Sequence, residues 1–341
     1  MALQTAIVIL NWNGRKFLQD FLPFVLKFNP DSAKVYIADN NSFDDSIEFM
    51  KANFPEVELI ELKENYGYAK GYNEALKRID AKYYVLLNSD IEVTKNWIEP
   101  IINYLEKNPE VAACQPKIKS WHQRDNFEYA GAGGGYIDHL GYPFCRGRIF
   151  QEIEKDTGQF DNIQEVFWAS GACLFVKSEV FHKLDGFDED FFAHMEEIDF
   201  CWRAKNENYK IIYHPESTVY HIGGGTLPKN NPHKTYLNFR NNFCLLYKNI
   251  PKNKLLSTFL SRLILDGIAA IKFLLDGGYK DLAAVFRAHM YFYSHLSALR
   301  KKRKSLKQKP VSGIYEKNIA YEHFIRGKKT FGKLDMSKFS K

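Results

Sequence analysis

The sequence predicts an α/β fold, a mostly parallel sheet flanked by helices and followed by a C-terminal helical extension. In the first hundred residues, short apolar runs alternate with helix-period segments, as in parallel strands joined by crossover helices. From about Tyr236 to Arg300 only the helical period remains. At 341 residues, 45% hydrophobic and 26% charged, the chain is globular and long enough for a large core plus an appendage.

Strands are predicted at Ala6–Leu10, Val35–Ala38, Val57–Leu62 and Tyr83–Leu87, each a short apolar run bounded by turn residues. Helices are predicted between them at Arg15–Phe28, Asp44–Asn53 and Tyr68–Ile79. Each strand leads into a polar cluster: Asn11-Trp12-Asn13-Gly14, Asp39-Asn40-Asn41-Ser42, Asn65-Tyr66-Gly67 and Asn88-Ser89-Asp90. One such cluster is a turn; four in succession mark the carboxyl end of a sheet where ligands bind. There is no GxGxxG and no Walker loop, so neither a dinucleotide site nor a P-loop is supported.

A helix at Trp97–Lys107 and a strand at Val111–Gln115 come next. The stretch from about Lys117 to Gln164 reads as irregular, rich in Gly, Tyr and charge, with glycines from Gly131 to Gly135, and is expected to be a binding loop or lid. The sheet resumes at Gly171–Val176, then at Ile211–Tyr213 and Thr218–Ile222, the last running into His221-Ile222-Gly223-Gly224-Gly225-Thr226. Three units follow: a catalytic domain over 1–250, a helical extension over 251–304, and a basic tail over 305–341 that follows Lys301-Lys302-Arg303-Lys304.

Five cysteines without a CxxC pair imply reduced thiols and a cytoplasmic protein. The N-terminus runs straight into a strand with no signal peptide evident. The longest apolar run, Leu255–Leu275, is interrupted by Arg262, Asp266 and Lys272, so no transmembrane helix is expected. The net charge of +6 is mild, and no nucleic-acid partner is expected.

The densest chemistry lies in Phe191-Phe192-Ala193-His194-Met195-Glu196-Glu197-Ile198-Asp199-Phe200-Cys201-Trp202-Arg203. Met195, Ile198 and Trp202 repeat at helical spacing as a buried stripe, with Glu196, Asp199 and Arg203 on its flank and Glu197 pointing elsewhere. On its own this is a capped amphipathic helix with an internal Glu–Arg pair. Asp90 follows an apolar strand, where a carboxylate can hold Mg²⁺ or Mn²⁺ together with substrate phosphates, and His221 is a candidate to complete the shell.

Taken in order, these pieces resemble the family 2 glycosyltransferases, inverting enzymes of GT-A fold, and among them the rhamnosyltransferase-like bacterial members. The resemblance covers about residues 5 to 250. It implies that Asp39 holds the base or ribose of a nucleotide-sugar donor, with Asn11, Trp12 and Asn13 on the same side. Asn65, Gly67 and Asn73 would close over the nucleotide, with Asn88 beside it and Arg240, of an Arg-Asn pair, near the donor phosphates. Asp90 matches the last aspartate of a DxD-like motif, with Asn88 at its first position, and His221 lies beside the metal or pyrophosphate. Trp168, Gly171, Ala172 and Asp199 are expected on the acceptor side. Glu196-Glu197 matches a Glu-Asp motif whose second carboxylate is the base. Glu197 stands in place of that Asp, which leaves the choice between Glu196 and Glu197 open; because Asp199 and Arg203 lie on the side of Glu196, Glu197 is favoured as base, with Glu196 in reserve.

The implied reaction moves a sugar from dTDP-rhamnose or a UDP-sugar to a hydroxyl of a glycan or polyprenyl-linked acceptor in cell-surface polysaccharide synthesis. The C-terminal helices, with their apolar stripes and basic residues, would make peripheral contact with the inner membrane at its cytoplasmic face. Two competing functions are a sugar-nucleotide pyrophosphorylase, for which Asn11–Lys16 is a poor phosphate loop, and a catalytically inactive carbohydrate-binding protein of the same fold.

Overall fold

The computed structural model describes residues 3–223 and 231–341; Gly224, Gly225 and Thr226 of the predicted glycine run lie outside them. The chain begins β1 (Leu3–Asn11), α1 (Arg15–Lys27), β2 (Ala33–Asp39), α2 (Ser46–Asn53), β3 (Glu58–Glu61), α3 (Gly67–Leu76) and β4 (Ala81–Asn88). β1 lies between β2 and β4, parallel to both, so the polar clusters after these strands gather at one end of the sheet. Alternate residues of β1 face opposite layers. Ile7 and Ile9 pack with Leu18, Leu22 and Val25 of α1, and Ala6 and Val8 with Ala69 and Tyr72 of α3. Burial on both faces explains the unbroken apolar run.

β5 (Ile91–Val93), α4 (Glu99–Lys107) and β6 (Val111–Ser120) follow. The strand expected to stop at Gln115 runs on to Ser120. The irregular stretch contains short strands β7 (Gly135–Asp138), β8 (Pro143–Cys145), β9 (Arg148–Ile149) and β10 (Glu152–Ile153), then β11 (Gln164–Val166). β12 (Cys173–Lys177), α5 (Ser178–Lys183), α6 (Glu196–Asn206) and β13 (Lys210–His221) complete the main sheet, ordered β11-β13-β6-β12-β4-β1-β2-β3 with β5 on β13. β12 enters antiparallel between β4 and β6. The two predicted strands 211–213 and 218–222 are one, β13, whose register shifts between His214 and Thr218, where Pro215 interrupts the pattern.

α7 (Pro232–Asn249) closes the first 250 residues, and α8 (Leu255–Leu275), α9 (Tyr279–Ser294) and α10 (Leu296–Ser305) follow it as the extension. The segment expected to be a solvated basic tail instead packs into the fold. β14 (Ile314–Tyr315) joins β7 to extend a second sheet, β10-β9-β8-β7-β14, and Val311, Tyr315, Ile319, Phe331 and Leu334 are buried. Arg303 also turns inward, donating to the carbonyls of Tyr247 and Ile250. A sequence pattern shows charge along a segment but not the apolar residues of a distant sheet that it will cover. All five cysteines are buried and free.

Candidate active site

The loops after β1 and β2 are tied into one surface. Asn11 Nδ2 donates to Asp39 Oδ1 at 2.9 Å, and Ser42 donates to both Asp39 oxygens from its backbone nitrogen (2.9 Å) and its hydroxyl (2.6 Å). Asn13, at φ 51°, donates its amide to Ser42 Oγ and accepts from the Phe43 amide, both at 2.9 Å. Asp39 therefore faces inward and organises the loops expected to hold the donor. What projects outward is aromatic: Trp12 and Phe43 are exposed and meet edge to face, ring centres 5.8 Å apart. Asn65 builds the next turn, accepting from the Gly67 amide and from Asn40.

β4 ends at Asn88, and Asp90 lies in the tight turn that leads to β5. β5 pairs antiparallel with β13, placing His221 opposite Ile91 and so beside Asp90. His221 Nε2 is 3.2 Å from Asp90 Oδ1, and its Nδ1 is 3.2 Å from Glu128 Oε2, too poorly aligned for a hydrogen bond. Burial alone would lower the His221 pKa, but the two carboxylates outweigh it and raise it to about 10. Burial likewise opposes ionisation of Asp90 and Glu128, and the imidazolium prevails, holding both below the usual carboxylate range. Sequence reasoning paired Asp90 with His221 but missed Glu128, which carries no motif and reaches the site through the insert.

No group of three or more His, Cys, Asp or Glu side chains among the described residues forms a complete metal cage. Asp90 and His221 nevertheless stand side by side at a strand end, Asp90 with a carboxylate oxygen and His221 with a ring nitrogen that would be free to ligate once a bound cation displaced its proton. That donor set fits a hard divalent cation that takes the rest of its shell from phosphate and water.

The acceptor-side residues separate into two kinds. Gly171 and Ala172 enter β12 beside the end of β4: the Ala172 carbonyl accepts from the Asn88 amide at 2.9 Å, and the Gly171 carbonyl from Tyr68 Oη at 2.6 Å. Trp168, by contrast, is buried, donates Nε1 to the Tyr136 carbonyl at 2.9 Å, and lies where a β-carbon on Gly135 would stand. The glycine run is thus needed for this close approach, and Trp168 belongs to the core rather than to an acceptor surface.

Glu196 and Glu197 open α6, and the backbone before them is strained: Phe192, His194 and Met195 have φ of 60°, 70° and 73°. Two anchors hold that turn. The Phe192 carbonyl receives the amides of Tyr68 (2.6 Å) and Ala69 (3.1 Å) at the start of α3, and its ring lies where a β-carbon on Gly67 would stand. From α7, Asn241 Nδ2 donates to the carbonyls of Phe191, Ala193 and His194 at 2.7–2.9 Å. Arg240 donates to the carbonyls of Asp190 and Phe191, each at 2.9 Å. The Arg-Asn pair expected near donor phosphates instead holds the turn that presents the two glutamates. Asn73 acts similarly: both ends of its amide bond the Phe187 backbone at 2.9 Å, so it pins the preceding loop rather than closing over a nucleotide.

The carboxylates of α6 have unlike surroundings. Asp199 is fully buried and met by Arg203 Nε (2.7 Å), Lys248 Nζ (2.9 Å) and Asn249 Nδ2 (2.9 Å), a structural ion-pair network that removes it from the acceptor surface. Glu196 and Glu197 each bury an oxygen with no hydrogen-bond partner. The expected Glu196–Arg203 pair does not form, because Arg203 is committed to Asp199 and to the Leu184 and Gly186 carbonyls. Burial, then the neighbouring Glu197 charge, holds Glu196 well above the usual range, and burial raises Glu197 to about 7. Tyr68 lies close enough that both glutamates, after burial itself, raise its pKa. The helix is buried nearly all round, not amphipathic, because α7 covers its outer side.

The profile of "Glycosyl transferase family 2" matches residues 6–184, just over half of the chain. The chain is 24% identical over 233 residues to N-acetylglucosaminyl-diphospho-decaprenol L-rhamnosyltransferase of Mycobacterium tuberculosis, covering 63% of this chain and 75% of that protein. It is 24% identical over 259 residues to dTDP-rhamnosyl transferase RfbF of Shigella flexneri, covering 71% and 79%. Low-salt glycan biosynthesis hexosyltransferase Agl10 of Haloferax volcanii is 22% identical over 246 residues, 70% of this chain and 74% of that protein. In fold, the chain is similar to the crystal structure of GalNAc-T7 with UDP, GalNAc and Mn²⁺, with a TM-score of 0.57 at 15% identity. The match covers 74% of this chain and about half (49%) of that one.

Proposed function

This chain belongs to glycosyltransferase family 2, and we propose that it is a metal-dependent inverting enzyme moving a sugar, rhamnose foremost, from a nucleoside-diphosphate donor to an acceptor hydroxyl. Two of the relatives above are named as rhamnosyltransferases, one for a decaprenol-diphosphate-linked substrate, which supports dTDP-rhamnose or a UDP-sugar as donor and a glycan or polyprenyl-linked acceptor. Such an acceptor places the work at the cytoplasmic face of a membrane, in the synthesis of a surface polysaccharide. Residues 1–250 would carry the chemistry, and 305–341 would complete their core.

One observation carries this reading: two adjacent carboxylates, Glu196 buried and Glu197 half-buried, each with a buried oxygen that has no hydrogen-bond partner, held at the carboxyl end of the central sheet by a strained and doubly anchored turn. A sugar hydroxyl is a poor nucleophile at neutral pH, and a base with a pKa near 7 is matched to taking its proton. In the proposed step the acceptor oxygen bonds to the anomeric carbon as the bond from that carbon to the diphosphate oxygen breaks. The hydroxyl proton passes to a Glu197 oxygen, and the diphosphate leaves with the electron pair. A single displacement of this kind inverts the anomeric centre. Glu196, whose proton burial and the neighbouring Glu197 charge hold more tightly, does not compete as base. Trp12 and Phe43 offer an aromatic rim for the donor base, and Asn11, Asn13, Asp39 and Asn65 shape that rim. A divalent cation held by Asp90 and His221 would supply Lewis-acid stabilisation of the leaving diphosphate.

The test is turnover of a panel of dTDP- and UDP-sugars with a polyprenyl-diphosphate-linked N-acetylglucosamine acceptor, with and without Mn²⁺ or Mg²⁺. A metal-dependent product of inverted configuration is expected, and Asp90→Ala should abolish both transfer and the metal-dependent part of donor binding. Near-normal metal-dependent turnover by Asp90→Ala would remove Asp90 from this role. Formation of nucleotide sugar from a sugar phosphate and nucleoside triphosphate would favour a pyrophosphorylase instead.

A further inference from the structure

α8 is built inside out. Its charged residues Arg262 and Asp266 are 2% and 0% exposed, while Ile264 and Leu275 are 66% and 81% exposed. Leu256, Leu260, Ile264, Ile268, Ile271 and Leu275 are all exposed, and at 100° per residue they span an arc of roughly 120° on the side away from Arg262 and Asp266. The inversion has a cause inside the protein. Asp266 pairs with Arg262 at 3.1 Å, accepts from Tyr142 Oη at 3.2 Å and lies 3.3 Å from His289 Nε2. Arg262 also donates to the Leu140 carbonyl at 2.9 Å. This network fastens the polar side of α8 to the insert and to α9, and so turns the aliphatic side outward. α9 packs on α8 and shows solvent Phe286, Met290 and Tyr293.

An exposed aliphatic face of this length is unusual on a soluble surface and marks an interaction site. Charge selects the occupant. Between Ile250 and Ser294 the exposed charges are Lys252, Lys254, Lys272, Lys280 and Arg287 against the single carboxylate Asp276. A second copy of the chain would bring this cation-rich rim against itself, whereas anionic lipid headgroups complement it. No described helix is long and apolar enough to cross a membrane, and the buried Arg262–Asp266 pair fixes one side of α8 to protein. We propose that the outer face of α8, with the neighbouring aromatic face of α9, lies in the interface of an anionic lipid bilayer and docks the protein on it. The aliphatic side chains enter the headgroup boundary and the lysines meet the headgroups, the arrangement of an interfacial helix.

The experiment is co-sedimentation of the full chain with phosphatidylcholine vesicles with and without phosphatidylglycerol, at low and high salt, needing neither donor nor acceptor. Binding is expected to the anionic vesicles at low salt. Ile264→Asp/Ile268→Asp should weaken it at least roughly tenfold, with an unchanged circular dichroism spectrum and unchanged melting, since both side chains are exposed. Absence of binding by the wild-type chain, or wild-type binding by the double variant, would overturn the proposal. So would a stable dimer in sedimentation velocity that the double variant splits and that does not bind vesicles, because a second copy would then cover the face. Failure of glycosyl transfer would leave the vesicle result standing, and the converse also holds.

Discussion

The first turn of α6 carries carboxylates three residues apart whose fates are opposite. Asp199 is ringed by Arg203, Lys248 and Asn249, and the two cations outweigh the effect of burial, holding it below the usual range. Glu196 and Glu197 are also enclosed, but each keeps a buried oxygen with no hydrogen-bond partner among the described residues, and burial pushes both upward. A buried carboxylate with partners is structure; one held without them stores unfavourable energy that folding elsewhere must offset, and such groups collect where chemistry is done. The anchors that hold the costly pair in place, Asn241 and the Phe192 carbonyl, belong to different elements from the pair itself.

Breaking each side of this comparison should have different consequences. The largest effect is expected from Glu197→Gln, which removes the base and should lower kcat by ~10²–10⁴-fold with donor affinity little changed. The wild-type rate should rise with pH through about 7 as Glu197 loses its proton, and this limb should vanish in the variant. Loss of kcat alone in Glu196→Gln, with Glu197→Gln near normal, would transfer the role to Glu196.

On the paired side, Asp199→Asn leaves Lys248 and Arg203 buried with less compensation. Denaturant unfolding should show a loss of about 3–5 kcal/mol, where Glu197→Gln shows none. Equal stability of the two variants would erase the distinction between the two carboxylate environments.

Asn241→Ala tests the anchor. It removes one donor shared by three carbonyls, at a cost of about 1–3 kcal/mol. If Asn241 positions the glutamates, kcat should fall by roughly 10–100-fold while the donor KM holds. A purely structural Asn241 would lower stability without that split.

The smallest effect is on melting of Glu196→Gln. A carboxyl raised in the folded state keeps its proton where the unfolded chain has lost it, so wild-type stability falls as pH rises from the ordinary glutamate range through the folded pKa. The variant lacks this loss. Its Tm should exceed that of the wild type above neutral pH by a few degrees, and the gap should close in acid, as read by calorimetry across pH.

Much of this was legible in the residue order. Strands β1, β2 and β4 and helices α1 and α3 follow from local periodicity and turn chemistry, and the helical character of α6 from the spacing of Met195, Ile198 and Trp202. Asp90 and His221 were identified because strand ends gather side chains at one edge of a parallel sheet, wherever they stand in sequence. Glu128, Trp168 and the fate of Arg240 were not legible: each is defined by what it touches across more than thirty residues of chain, and local pattern carries no such information.

By itself the sequence determined which segments can be strands and helices, because periodicity and turn residues act within a few residues. It also determined that acids, histidine and asparagines would stand at strand ends. Tertiary structure alone decided which of those groups are spent on partners. Asp199 and Arg203 took each other, so that Arg203 does not pair with Glu196, α7 turned its Arg-Asn pair into a clamp, and the Arg262–Asp266 network turned the aliphatic side of α8 to the outside. Partnering depends on burial and on distances of about 3 Å between remote residues, and these exist only once the chain has folded.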